Sequence, residues 1–161
     1  MDTVNNKKNT NELNKILEST HISQIETYFT ENADSLRDED RPFSQYMRKL
    51  IREKGLKQQK VFADADIPER YGYKLISEEK RTKQRDVILR LCYAAHFTLE
   101  ETQRALKMYD MPVLYSKVKR DALLMIAFNE RPGGLVRVND LLESHHMEIL
   151  RFSGMSDEML E

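Results

Sequence analysis

The chain has few of the residues that would allow a disulfide framework, long loops or a membrane span. Cys92 is its one cysteine, so no disulfide forms within the chain. Its 5 glycines and 4 prolines are too few for long coil regions. No apolar run approaches the roughly 20 residues of a membrane-spanning helix, and the polar start of the chain lacks the apolar core of a signal peptide. These absences predict a cytoplasmic protein without membrane contact.

Charge is distributed unevenly along the 161 residues, although the net charge of the whole chain is only −1. Residues 1–40 carry a net charge of −5, residues 41–90 a net charge of +7, and residues 91–161 a net charge of −3. A basic segment between acidic flanks is typical of a domain that binds a polyanion such as nucleic acid. A solvated surface of mixed charge would account for any single run, but less well for the concentration of basic residues in one segment.

Apolar residues recur at helical spacing, and no stretch of useful length alternates with a period of two. The pattern predicts an all-α fold in three parts. Residues 1–41 form a polar tail with acidic helices, residues 42–110 form five short helices, and residues 111–161 form a C-terminal helical extension. We place the first boundary in the charged run Asp34–Arg41, which we expect to be a linker, and expect the chain after Leu150 to be loose.

Several helix starts are marked by capping signals. Ser23 with Glu26, and Thr98 with Glu101, have the spacing of a capping box, in which two side chains satisfy the first free backbone N–H groups of a helix. Ser116 is the expected cap of a helix in the C-terminal extension. These signals predict where three helices begin.

Residues 58–77 predict a helix-turn-helix, the arrangement that places a second, recognition helix in the DNA major groove. A short supporting helix over residues 58–65 is followed by a tight turn. Pro68 then opens the candidate recognition helix, which continues to Ser77. Gly72 lies on the side of this helix that faces the supporting helix, so the two helices can approach closely.

Side chains around this helix pair are suited to DNA contact. Arginine and lysine donate to guanine edges, and glutamate accepts from the cytosine amino group. The predicted base-contacting set is Gln58, Glu69, Arg70, Tyr73 and Lys74. The predicted phosphate-contacting set is Lys57, Lys60, Lys80, Arg81 and Lys83. Packing on the rim of the core is an equal alternative for Tyr73, and an ordinary solvated loop is an equal interpretation of residues 80–85.

These elements form a wider pattern in the order Gly55-Leu56 with Gln58, the helix Ile67–Ser77, the basic pair Lys80-Arg81 and the stretch Ala94–Glu101. The pattern resembles the lambda-repressor/Cro-like (XRE-type) helix-turn-helix family over about residues 43–110. The resemblance implies a five-helix domain and a sequence-specific transcriptional regulator that binds double-stranded DNA, usually as a dimer on paired half-sites. It also implies that the protein is at the nucleoid when bound to DNA.

Four positions depart from that family. Its members usually have a small residue where Phe62 stands, a branched apolar residue at Gly72, a glycine at Glu78 and a proline near Thr82. A large side chain opposite a glycine allows Phe62 and Gly72 to compensate for each other sterically. The departures leave open a second function, in which the fold is an adaptor for a protein partner. Such an adaptor would be antitoxin-like or would bind a kinase or another regulator, with weak or no DNA binding.

The remaining features predict association rather than catalysis. Residues 123–128 are apolar on more than one helix face, which predicts a homodimer or partner interface in the C-terminal helices. Cys92 and His96 are four residues apart, but two ligands are too few for a metal site. No arrangement of residues suggests an active site, so we expect neither an enzyme nor a cofactor or metal.

Overall fold

The computed structural model describes residues 7–36 and 41–151, which form helices and no strand. The all-α expectation is therefore confirmed for these residues. The first part of the predicted polar tail, the end of the predicted linker and the predicted loose segment after Leu150 lie largely outside the described residues, at 1–6, 37–40 and 152–161. In chain order the α-helices are α1 (Thr10–Glu18), α2 (Ile25–Glu31), α3 (Pro42–Glu53), α4 (Gln58–Ala65), α5 (Glu69–Ile76), α6 (Arg85–Ala94), α7 (Leu99–Met108), α8 (Lys119–Glu130) and α9 (Leu135–Ser144).

The chain divides into two compact units, Met1–Asp40 and Arg41–Glu161. In the first unit, the Lys8 ammonium donates to Asn32 Oδ1 at 2.5 Å and the Lys8 backbone N–H donates to Ser35 Oγ at 2.8 Å. These bonds connect the residues before α1 to the end of α2. Tyr28 is the buried hydrophobic residue of the described part of this unit.

The core of the second unit surrounds α6, whose residues Val87–Ala94 are all buried. Helices α4, α7 and α9 pack on α6, while α3 packs on α5 and α7. The apolar positions of α3 predicted from their helical spacing, including Phe43 and Met47, are buried. Leu124 of α8 and Val138 of α9 belong to the same hydrophobic cluster. The C-terminal extension therefore shares one core with the predicted five-helix domain.

The capping predictions had different outcomes. The Thr98–Glu101 box is confirmed, because the Thr98 N–H donates to Glu101 Oε1 at 2.9 Å and the Glu101 N–H donates to Thr98 Oγ1 at 3.1 Å. The Ser23–Glu26 box is wrong: a short 3-10 helix occupies Ile22–Gln24, and the Gln24 side chain accepts from the backbone N–H of His21 at 3.0 Å.

The predicted cap at Ser116 is also wrong, since α8 begins at Lys119 with Val118 in the capping position. The Asp121 carboxylate explains the later start. It accepts a hydrogen bond from the backbone N–H of Tyr115 at 3.0 Å and so holds the preceding residues in a turn.

Phe62 and Gly72 fit each other as the sequence predicted. The Phe62 ring lies over Gly72, and a Cβ atom added to Gly72 would be only 2.4 Å from Cδ1 of that ring. The ring also packs edge-on against Tyr73, with 4.9 Å between the ring centroids. Gly72 is therefore required by the close approach of α4 and α5 rather than by an unusual backbone conformation.

Two reciprocal ion pairs connect the start of α6 to the start of α8. Arg85 donates to both oxygens of Asp121, at 2.5 and 3.1 Å. Arg120 donates to both oxygens of Asp86, at 3.0 and 3.1 Å. On each helix an arginine is followed by an aspartate, and each of these residues pairs with the oppositely charged residue of the other helix. Both pairs are bidentate, a geometry that favours arginine over lysine.

Residues 148–151 have no regular secondary structure, but side chains bind their backbone groups in succession. Arg120 donates to the carbonyls of Glu148 and Ile149 at 2.9 and 3.1 Å. The guanidinium of Arg90, which is 1% exposed, donates to the carbonyls of Leu150 at 3.2 Å and of Ala65 at 2.9 Å. Because Ala65 ends α4, Arg90 connects the last described residues to the turn between α4 and α5.

Candidate nucleic-acid interface

Helix α5 has a buried side and an outward side. Its apolar residues Tyr71, Leu75 and Ile76 are buried together with Gly72. Of the predicted base-contacting residues on this helix, Glu69, Arg70 and Tyr73 are exposed, and Lys74 is half-buried. The helical period of 3.6 residues separates these two sets, so the structure places the predicted reading residues of α5 on one outward face.

Two of these residues also have contacts within the protein. The Gln59 amide donates to Glu69 Oε2 at 3.3 Å. Tyr73 is 44% exposed because one side of its ring packs on Phe62. One side of the Tyr73 ring is therefore a packing surface, and its contact with a base stays a prediction.

The start of α4 lies beside basic residues that the sequence analysis did not select. Lys57 and Gln58 line a shallow cavity of about 430 Å³ together with Arg48 and Arg52 of α3. Arg48 and Arg52 are exposed and four residues apart, so they lie one turn apart on α3, outside its buried stripe. The same periodicity that identified the core side of α3 also places these two arginines on its surface.

Five cations of this surface have no ion-pair partner in the part of the chain that the structure describes. Within residues 7–36 and 41–151, the structure gives no hydrogen bond or ion pair to the charged groups of Arg48, Arg52, Lys57, Arg70 and Lys74. Five positive groups on α3, the start of α4 and α5 are thus available to an external anion. No side chain of the described chain caps the start of α4, whose first N–H groups add partial positive charge there.

The other predicted phosphate contacts are in different situations. Lys60 forms an exposed ion pair with Asp64 at 3.2 Å, and such pairs stabilise a protein by little. Lys80, half-buried, and Lys83, exposed, lie in the loop between α5 and α6. Arg81 lies in this loop too, but its guanidinium contacts other groups of the protein. It donates to the Tyr109 carbonyl at 3.1 Å and stacks on the Tyr109 ring at 4.1 Å.

Glu78 explains one departure from the resembling family. Its φ of 60° lies in the left-handed region that favours glycine. Its buried carboxylate accepts from the Ser44 backbone N–H at 3.3 Å and from Arg81 at 2.8 Å. A glycine at this position would relieve backbone strain but would leave the start of α3 and Arg81 without that carboxylate.

Tyr109 completes this arrangement on the other side of the loop. Its hydroxyl oxygen accepts from the Thr82 backbone N–H at 2.7 Å. Burial raises the pKa of Tyr109 to about 12, so the neutral hydroxyl persists well above physiological pH. The loop that follows α5 is consequently fixed to α3 and to the end of α7.

Cys92 and His96 do not form part of this surface. Cys92 is buried, which raises the pKa of its thiol, and His96 is exposed in the turn after α6. In the part of the chain that the structure describes, no three histidine, cysteine, aspartate or glutamate side chains are grouped as metal ligands would be. None of the described helices combines the length and apolar composition that crossing a bilayer requires.

The chain matches no protein-family model, and no curated protein or solved structure matches it significantly.

Proposed function

We propose that the surface formed by α3, the start of α4 and α5 binds double-stranded DNA, and that the protein is a sequence-specific transcriptional regulator. The observation that carries this proposal is the set of five cations without internal partners, Arg48, Arg52, Lys57, Arg70 and Lys74. Positive charge grouped on a helix-turn-helix surface favours a polyanion over a neutral or cationic ligand. The proposed role is binding, without catalysis or a cofactor.

The arrangement supports different roles for the two helices in DNA binding, with α5 contacting bases and the start of α4 contacting phosphate. Helix α5 would enter the major groove, where Arg70 and Lys74 can donate to guanine and Glu69 can accept from cytosine. The start of α4 would face a phosphate, held by Lys57 and by free backbone N–H groups. Arg48 and Arg52 would contact the DNA backbone on the same side.

Arg70→Ala tests whether α5 reads bases. We expect a loss of about 1–3 kcal/mol in binding to a preferred site that is first selected from a random duplex pool. The loss on a scrambled duplex should be much smaller, because Arg70 would contact a base edge. Titration of the wild type and the variant against both duplexes measures the difference.

Lys117→Ala is the matched control for this experiment. It also removes one exposed positive charge, but from the loop before α8, and should leave both affinities nearly unchanged. Thermal melts should be equal for all three proteins because Arg70 is exposed. Equal losses on both duplexes would make Arg70 a phosphate contact, and no loss on either would remove α5 from the interface.

Lys57→Ala tests the phosphate contact at the start of α4. Each phosphate that the protein neutralises releases counterions, so the logarithm of the affinity falls with the logarithm of the salt concentration. Removing Lys57 should weaken binding to every duplex and make this slope shallower by about 0.9. Titrations at several salt concentrations give the slope, and an unchanged slope would exclude Lys57. Arg81→Ala is less informative here because Arg81 also supports the fold.

A protein-interaction adaptor is the second candidate, and the N-terminal unit provides the observation that favours it. Ile22 is 86% exposed, and Ile25 and Phe29 are exposed one and two turns later. These residues form an apolar face on an acidic unit, a combination suited to a protein partner. If selection from the random pool yields no preferred site, the adaptor becomes the better proposal.

A further inference from the structure

The outward side of α8 is apolar in the middle and charged at both ends. Lys119, Leu123, Ile126 and Glu130 follow one another at spacings of four, three and four residues, so they lie on one face of the helix. Ile126 in the middle is 60% exposed. This face forms one wall of an open groove of about 520 Å³, whose other wall includes Leu141 of α9.

The two end charges are unfavourable for α8 by itself. Lys119 is the first residue of the helix and Glu130 is the last. A helix favours negative charge at its start and positive charge at its end, which is the reverse of this arrangement. Both residues are exposed, and their charged groups have no ion pair with any described residue. Neither charge is therefore compensated by an ion pair within the described part of the single chain.

The same charges become complementary when two copies of α8 lie antiparallel. In a pair related by a two-fold axis between positions 124 and 125, Lys119 faces Glu130 of the second copy, and Leu123 faces Ile126. The two-fold axis repeats each contact, so one helix face supplies both sides of the interface. We infer that this face of α8 is a homodimer interface, with a second copy of this chain as its occupant.

The inference is independent of DNA binding. Helix α8 packs on α7 and α9, whereas α5 packs on α3 and α4, so the pairing does not use the α5 surface. If the proposed function is also correct, the α8 pairing would supply the two reading helices that paired half-sites require. Each claim fails separately, because the oligomeric state is measured without DNA.

Charge reversal at the ends of α8 provides the test. Lys119→Glu gives the helix two acidic ends, and Glu130→Lys gives it two basic ends. Each variant should repel its own copies and raise the dimer dissociation constant at least about tenfold. An equimolar mixture of the two variants should associate again, and the double variant Lys119→Glu/Glu130→Lys should dimerise like the wild type. Each reversal agrees with the helix dipole, so the variants should remain folded.

Sedimentation equilibrium of the full chain at concentrations from about 1 to 100 μM reads the outcome, since a micromolar dimer dissociates within this range and a tenfold change in its dissociation constant is measurable there. Ile126→Asp should abolish the dimer, while Val136→Asp, at a 78% exposed position of α9 outside the groove, should not. A monomeric wild type would overturn the inference and leave the groove to another segment or protein. A dimer that is insensitive to the charge reversals would overturn it as well.

Discussion

Replacing Gly72 with valine should destabilise the second unit by about 3 kcal/mol, because the new side chain has no room between α4 and α5. The first added atom alone would lie 2.4 Å from the Phe62 ring. That ring is buried and packed edge-on against Tyr73, so it has no open space into which to rotate. Chemical denaturation, read by helical circular dichroism, measures the loss. Gly72→Ala should cost less, because alanine favours the helix by about 1 kcal/mol over glycine.

Placing the small residue at position 62 and the large one at position 72 should restore much of the stability that Gly72→Val loses. Phe62→Ala alone leaves a cavity and should cost about 3–5 kcal/mol. The double variant Phe62→Ala/Gly72→Val should be more stable than the sum of the two single losses predicts, by about 1–3 kcal/mol. Gly134→Ala is the control, since a Cβ atom there meets no atom within 4 Å. Strict additivity of the two substitutions would mean that the contact between Phe62 and Gly72 does not limit the packing.

Replacing Asp121 with alanine should cost about 2–3 kcal/mol, because it removes the buried carboxylate of a partly buried ion pair and leaves the Arg85 guanidinium without it. Arg85 would lose both of its carboxylate contacts, and the Tyr115 N–H would lose its acceptor. The start of α8 would also lose a negative charge that its dipole favours. The free energy of unfolding from denaturant titration measures the effect.

Two further variants show whether the ion pair is responsible for the loss of stability in Asp121→Ala. Asp140→Ala removes an exposed carboxylate of α9 and should change the free energy of unfolding by less than about 0.5 kcal/mol. Arg85→Met/Asp121→Ala removes both charges and should lose less than the two single variants together. If Asp121→Ala were as mild as Asp140→Ala, the pair would have no part in holding α8 on α6.

The sequence was most informative where the cause of a structure is local. The bounds of α4 agree with the prediction, and the Thr98–Glu101 box is present, because spacing and capping act within a few residues. The fit of Phe62 and Gly72 could also be predicted. Phe62 is larger, and Gly72 smaller, than the residue usual at that position in the resembling family, and the two positions face each other. Arg48 and Arg52 were missed although their spacing on α3 places them outside the core.

Contacts between residues far apart in the sequence account for most of what the sequence did not predict. Arg81 and Arg85 look alike in the sequence, as basic residues beside a predicted recognition helix. Arg81 donates to a carbonyl 28 residues away, and Arg85 donates to a carboxylate 36 residues away. Nothing within the basic segment indicates either contact. Local charge therefore overestimates how many of these cations are available to a ligand.

The bonds to residues 148–151 affect when this chain can complete its folding during synthesis. Arg90 is separated by 60 residues from the Leu150 carbonyl, and Asp86 by 65 residues from the Arg151 N–H that it binds. Domains usually fold as units while the ribosome lengthens the chain. Here the central helix holds a buried guanidinium, one of whose acceptors lies 60 residues further along the chain. We therefore expect a nascent chain that already contains the whole helix-turn-helix to remain incompletely packed until translation reaches these residues.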